Sequence, residues 1–206
     1  MSSRHEIVLG THNVKKGREL QDLLLPFAFT VRTLADFPEA LAVEETGDTF
    51  AENARLKAMR QARHLCRWTI GEDSGLMVDA LDGAPGVWSA RYSGPDATDA
   101  ENNQHLLDAL AHVRAEDRAA RYACHICVAD PDGSPRIDVA ASCAGRIACK
   151  LAGRSGFGYD PLFLIGEYHR TFAQLGDAVK SVLSHRSRAV QRLLPQLLRL
   201  ARQGAL

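Results

Sequence analysis

The sequence carries no surplus charge of either sign: Lys plus Arg total 25, and Asp plus Glu also total 25. A zero formal balance excludes the global basic field that draws a protein onto nucleic acid or an anionic membrane, so any anion site has to be built locally. Long hydrophobic runs are missing as well. The opening MSSRHEIVLG lacks the apolar core of a signal peptide, and no stretch approaches the roughly 18 apolar residues of a membrane span. A cytoplasmic protein with no membrane and no nucleic-acid partner is expected. Cysteine is sparse: Cys66, Cys124, Cys127, Cys143 and Cys149 are odd in number and lack the dense spacing of a disulfide framework. Reduced thiols are predicted. Cys124 and Cys127 have the C-x-x-C spacing of a zinc knuckle or redox pair, but they lie inside the β-like RYACHICVAD. Residues three apart in a strand point to opposite faces, which favours buried thiols over a metal site. Two phosphate-binding signatures are absent too. No G-x-x-x-x-G-K-[ST] occurs, and the glycines of GRSGFGYDP neither follow the G-x-G-x-x-G spacing nor lead into a helix.

What is present is ordinary globular material. With 206 residues, 46% hydrophobic and 24% charged, the chain suits a single folding unit, either one large domain or two closely joined lobes. Residues 5–10 read as a short strand, and THNVKKGRELQDLLLPF then switches to helical spacing with Leu20, Leu23, Leu24 and Phe27 on one side. Thr11 and Asn13 are good helix-start residues. Strand, turn and helix N-terminus in succession leave free backbone N–H groups that can hold phosphate, making residues 11 to 16 the first anion-site candidate. Thr49 with Glu52 and Thr98 with Glu101 form capping boxes, the first opening a helix that runs to about Leu65 and places Asn53 and Lys57 on one face. Arg121 to Ala129 and Pro135 to Ala148 read as two strands joined at a DPDG turn. The C-terminal leucines mark a helix capped by Ser184, in which Pro195 is a point of kinking or splitting.

Four segments carry chemistry. In TIGEDSGLMVDAL, Glu72 and Asp73 stand side by side at the end of an apolar run. They are either turn residues at a strand end or catalytic carboxylates, and adjacent acids resist burial unless a cation, a proton or hydrogen bonds compensate them. A second pair, Glu44 and Glu45, precedes the helix of Lys57, so the two pairs could converge on a hard divalent cation. GRSGFGYDP is either a turn with Phe157 and Tyr159 packed inward or a loop presenting an aromatic face to a base. In KSVLSHRSRA, Lys180, Ser184, His185 and Arg186 are either the polar start of the last helix or a cluster of donors suited to an anion or a carbonyl-rich ring.

In this order, THNVKKGREL, EETGDTFAENARLKA, EDSGLMVDALDGAPGVWSARYSG, GFGYDPLF and SHRSRA closely resemble the inosine triphosphate pyrophosphatase family, over nearly the whole chain. The resemblance implies an elongated α/β fold with a long mixed sheet flanked by helices, two lobes around a nucleotide cleft, and a homodimer. It also implies a Mg²⁺-dependent hydrolysis of noncanonical purine nucleoside triphosphates (ITP, dITP, XTP) to monophosphate and pyrophosphate, which cleanses the nucleotide pool. Carried onto this sequence, Thr11, His12, Asn13, Val14, Lys15 and Lys16 match the phosphate-binding start, and Lys57 a phosphate-facing lysine. Glu44 and Asp73 match the metal positions, Asp73 also the catalytic base. Ser74, Phe157, Gly158, Tyr159, Asp160, Lys180, His185 and Arg186 match substrate-binding positions. Two residues depart from the pattern: Gln174 stands where a Glu is usual, and Glu72 where Asp is common. A non-catalytic nucleotide sensor, a module binding nucleic acid through the C-terminal arginines, and a pyrophosphatase for another modified nucleotide are the competing readings.

Overall fold

The computed structural model describes residues 5–27 and 29–206; residues 1–4, read above as part of a segment without a signal sequence, lie outside it. The chain opens with β1 (His5–Leu9), α1 (Val14–Leu24) and β2 (Phe29–Thr33), the two strands pairing in parallel from His5 opposite Phe29 to Leu9 opposite Thr33. Next come α2 (Phe50–Leu65) and β3 (Thr69–Val78), which pairs in parallel with β1 through Val8 opposite Thr69. Then follow α3 (Asp99–Ala109), β4 (Ala119–Ala129), β5 (Pro135–Ile147), and the short β6 (Phe163–Ile165), antiparallel to β5, and β7 (Arg170–Thr171), antiparallel to β6. Three helices, α4 (Phe172–Leu175), α5 (Asp177–Leu183) and α6 (His185–Arg202), end the chain. The described strands form one mixed sheet in the order β2-β1-β3-β4-β5-β6-β7, flanked by helices.

Local chemistry accounts for the boundaries. Asn13 caps α1 by accepting from Lys16 N at 3.0 Å, and Thr49 and Thr98 close capping boxes with Glu52 and Glu101 as their spacing predicts. The DPDG turn is held by Asp130, whose side chain accepts from the backbone N–H of Asp132 and Ser134. Gln174 performs the same capping task for α4, its Oε1 accepting from Thr171 N at 3.0 Å. Gln and Glu serve equally there, so the missing carboxylate costs the helix nothing. Two open readings narrow. Pro195 lies inside α6 without splitting it, since the buried Leu193 and Leu197 on either side anchor both halves to the core. Lys180 and His185 are not on one helix: Ser184, in extended conformation, ends α5 before His185 opens α6.

The chain divides into two compact units. The first comprises the described residues up to Asp73, Cys124–Ala141 and Arg186–Leu206; the second, Ser74–Ala123 and Ser142–His185. In the first unit the sheet is buried on both faces. Ile7, Leu9, Ile70, Cys124, Ile126 and Val128 pack with Leu20 and Leu24 of α1 and Ala189, Leu193 and Leu197 of α6. On the opposite face, Cys127 and Ala129 pack against Ala54, Ala58 and Ala62 of α2. Cys124 and Cys127 therefore face apart, as the pleat requires. Gly71 sets the depth of α2: a Cβ there would lie 2.1 Å from Ala54 O and 2.5 Å from Ala58 N. The second unit has its own core, centred on Leu76, Leu106, Tyr122, Phe163 and Phe172.

Two outcomes follow. Gly71→Ala should destabilise the protein by about 3 kcal/mol, the range for inserting a methyl into a filled core, because backbone and not a flexible side chain occupies the space; a denaturant midpoint unchanged at constant m value would refute this packing. Cys66 and Cys149 are exposed, whereas Cys124, Cys127 and Cys143 are buried. Burial also pushes the Cys127 thiol up to about 12, with the negative charge of Asp138 adding to it. A thiol-reactive dye at pH 8 should label two cysteines in the native protein and all five after denaturation.

Candidate active site

Glu72 and Asp73 are not at a strand end. They sit in the middle of β3, which continues to Val78, and both are buried. Adjacent strand residues project to opposite faces, so each carboxylate meets a different set of partners.

Asp73 points to the face covered by α2. Its Oδ1 accepts from Lys57 Nζ at 3.0 Å, and Asn53 Nδ2 approaches Oδ2 at 3.4 Å. Asn53 and Lys57 arrive together because they are one helical turn apart on the helix that Gly71 admits to close contact. Lys57 also pairs with Glu45 Oε2 at 3.2 Å. Burial on its own would lower the lysine, but Asp73, Glu45 and Glu72 outweigh it, so its pKa lies above the usual value. For Asp73 the balance falls the other way: burial pushes the carboxyl up, and the attraction of Lys57 and Lys16 does not fully offset it. The result is a buried carboxylate with more affinity for a proton than an ordinary aspartate.

Glu72 faces α1 and α6. Its Oε1 accepts from Arg186 Nη2 at 2.9 Å and from the Cys124 thiol at 3.4 Å, and its Oε2 lies 3.5 Å from Lys16 Nζ. Arg186 is almost completely buried and donates through Nη1 to Glu19 of α1. Desolvation would lower the guanidinium, but Glu72 and Glu19 hold it above its ordinary value. The longer arm of glutamate thus ends among three donors. The first turn of α1 contains no acidic residue, so its partial positive charge is left for an incoming anion. Around it, Thr11 Oγ1 accepts from Asn13 N at 3.1 Å, and His12 Nε2 lies 3.1 Å from Leu41 O. Val14 and Lys15 are exposed.

In the second unit, the loop after Gly156 is fixed by side chains. Asp160 is buried; its Oδ2 accepts from Phe157 N at 2.9 Å and pairs with Lys180 Nζ at 2.6 Å. Gly156 has φ +78°, and a Cβ there would lie 2.1 Å from Asp160 Oδ2, so glycine is required on both counts. Lys180 Nζ stands 4.1 Å from the Phe157 ring centroid, a cation–π contact. Tyr159 is buried and donates to Ser89 O at 2.9 Å, while Asn103 of α3 donates to Gly158 O at 2.8 Å. Of the two aromatic residues, then, Tyr159 packs inward and Phe157 offers a ring face to a cation. Ser74 and His185 are buried, and His185 stacks on Tyr122.

Of the predicted residues, Lys16, Lys57 and Asp73 are accordingly gathered in one unit and Phe157, Asp160 and Lys180 in the other, where His185 lies against Tyr122. The acid the structure brings to Lys57 is Glu45; the predicted Glu44 is exposed and forms no ion pair among the described residues. Glu19, Asn53, Cys124, Asn103 and Tyr122 complete these clusters without having been singled out as site residues. Only Asn53 carried a signal, its i,i+4 relation to Lys57.

Known proteins resemble this chain over most of its length. The chain is 49% identical over 205 residues to a dITP/XTP pyrophosphatase of Rhodopirellula baltica, covering 100% of this chain and 99% of that one. It is 42% identical to a dITP/XTP pyrophosphatase of Exiguobacterium, covering 94% and 97%. A HAM1 protein from Coxiella burnetii superimposes with a TM-score of 0.86 at 38% identity, covering 95% of this chain and 99% of that one. A nucleoside-triphosphatase/dITP/XTP pyrophosphatase from Mycobacterium abscessus does so at 0.75 and 39% identity, covering 92% and 99%. A family model matches residues 7–196, and the chain belongs to the Ham1 family.

Proposed function

We propose that this protein hydrolyses noncanonical purine nucleoside triphosphates, dITP, ITP and XTP, to the monophosphate and pyrophosphate, and so removes deaminated purines from the nucleotide pool. The observation that carries the reading is the buried Lys57–Asp73 pair, with Asn53 and Glu45 around it, in a chain similar over its full length to dITP/XTP pyrophosphatases. Burial raises the proton affinity of Asp73 while Lys57 and Lys16 oppose it, and a cation bound beside it would keep the carboxylate ionised, the form a general base requires. Asp73 accepts a proton from the attacking water and orients it toward the α-phosphorus. Lys57 and Lys16 offset negative charge that grows on the phosphate oxygens as the bond to pyrophosphate breaks.

A hard divalent cation fits this centre. Among the described residues no three acidic, histidine or cysteine side chains converge as a closed cage. Mg²⁺ seldom needs one, since it is held by one or two carboxylates together with water and substrate phosphates. Asp73 and Glu45 are the carboxylates available beside Lys57. That burial still raises Asp73 with a lysine 3.0 Å away means the site can use more positive charge than the chain itself supplies. When bound, Mg²⁺ would screen the triphosphate and act as a Lewis acid at its oxygens.

Base selection falls to side chains of the second unit. Hypoxanthine and xanthine present an acceptor O6 where adenine presents an amino group. A donor directed at that position therefore binds the first two and is left unpaired by the third, a mismatch that can reach about 10⁴-fold. His185 is the donor closest in kind to this task, with Phe157 offering a ring face. We further place the enzyme in the cytoplasm as a homodimer, the arrangement the family resemblance implies; among the described residues no helix is long and apolar enough to cross a membrane.

The decisive assay follows pyrophosphate and orthophosphate release from dITP, XTP, ATP and GTP, with Mg²⁺ and with chelator. Pyrophosphate from dITP and XTP, abolished by chelation and slow with ATP, is the expected result; metal-independent release, or orthophosphate as product, would overturn the reading. Asp73→Asn should lower kcat by about 10²- to 10⁴-fold, the range for loss of a general base, while dITP binding measured by calorimetry changes far less.

A further inference from the structure

The second unit contains an aromatic column that ends on His185. Phe172 and Phe163 are stacked, with centroids 5.5 Å apart and planes at 16°. Phe163 meets Tyr122 at 4.6 Å and 48°. Tyr122 in turn lies flat against the His185 imidazole at 4.7 Å and 13°. All four rings are buried. Phe163, Phe172 and Tyr122 all belong to the core of the unit, so the ring on which His185 is stacked is itself held by packing.

An imidazole donates in its own plane, and the torsion that sets this plane is a broad sp³–sp² rotation with no sharp intrinsic minimum. Hydrogen bonds weaken steeply once the donor angle falls toward about 120°. A histidine that must tell an acceptor from an amino group therefore needs an external device to hold its ring. We propose that Tyr122 is that device, a positioning residue for base selection that acts through His185 and does not itself touch the nucleotide. The inference rests on the reading of His185 as the base-directed donor. The stacked face, not the phenol oxygen, carries the role, so phenylalanine should replace tyrosine without loss.

The test is the ratio of kcat/KM for ITP to that for ATP in Tyr122→Phe, Tyr122→Leu, Tyr122→Met and His185→Gln. Loss of folded enzyme scales both nucleotides alike and leaves this ratio untouched, whereas loss of ring orientation lowers it. Met is included because it fills a similar volume without a ring plane. The ratio should stay at the wild-type value in Tyr122→Phe and fall about tenfold in Tyr122→Leu and Tyr122→Met, the upper end of what one stacked aromatic pair contributes, with the loss for ITP residing mainly in KM. An unchanged ratio in Leu and Met, beside a lowered one in His185→Gln, would overturn the role of Tyr122 and leave His185 in place. A ratio unchanged in His185→Gln would overturn the assignment of His185 itself. A fall in Tyr122→Phe as large as in Leu would assign the effect to the hydroxyl and overturn the stacking argument.

Discussion

The arrangement of the first unit depends on the pleat of β3 at Glu72 and Asp73. Two adjacent carboxylates in a turn would face common solvent and repel. In a buried strand they are sent to opposite sides of the sheet, and each must find positive charge there, because an uncompensated buried ion costs several kcal/mol even after relaxation. Compensation arrives on helices. Gly71 lets α2 press close enough to bring Lys57 and Asn53 to Asp73, while the start of α6 delivers Arg186, and α1 delivers Lys16, to Glu72. Remove the glycine, and the lysine could not stand where the aspartate needs it.

The two sides are not equivalent, and the difference separates structure from chemistry. Arg186 is clamped between Glu19 and Glu72, with Cys124 and Lys16 adding to the same carboxylate. Taking one partner from such a buried network typically costs about 3–5 kcal/mol, which makes Glu72 and Arg186 a joint that ties α1, α6 and β3 together. Among the described residues, Asp73 has one cation within hydrogen-bonding distance, shared with Glu45, and burial prevails over it. This incomplete compensation is what the proposed function uses, assigning a further cation and the proton of the attacking water to Asp73. Glu72, held by Arg186, belongs to the frame, and Asp73 is the carboxylate to which the proposed mechanism assigns the chemistry.

Much of this was legible in the sequence because it is written in local rules. Capping boxes, helical leucine spacing and the DPDG turn each use residues a few positions apart, so α2, α3 and the β4–β5 turn lie where pattern placed them. The motifs that marked Asp73, Lys57 and the glycine loop were likewise contiguous. What pattern could not supply was strand continuity through charge. Glu-Asp reads as a break in an apolar run, because no local rule announces that Lys57 and Arg186, distant in sequence, will stand on either side of it. The sequence brought the Glu44–Glu45 pair toward Lys57 but did not say which of the two pairs with it, since exposed neighbours on a loop differ in the direction the backbone gives them. Tyr122 read as one more strand aromatic, and nothing near it in sequence pointed to a histidine more than sixty residues on.

In the proposed function the roles given to each unit's side chains answer different physical demands. Holding a triphosphate is a matter of charge: Coulomb attraction varies slowly with distance, and lysines on flexible stems satisfy it without exact placement. Telling one purine from another is a matter of direction, because hydrogen-bond strength falls off sharply with angle. The second unit is built for direction. Asp160 closes the Phe157 turn and pins Lys180, Asn103 and Tyr159 anchor the loop backbone to its surroundings, and the Phe172–Phe163–Tyr122 column sets the imidazole plane. Each of these contacts freezes a torsion before any nucleotide arrives, so ordering the site draws less on binding free energy. On the proposed reading, a donor already held in plane also cannot swing aside to accommodate adenine's amino group, and the rigidity that assists the right base is what would reject the wrong one.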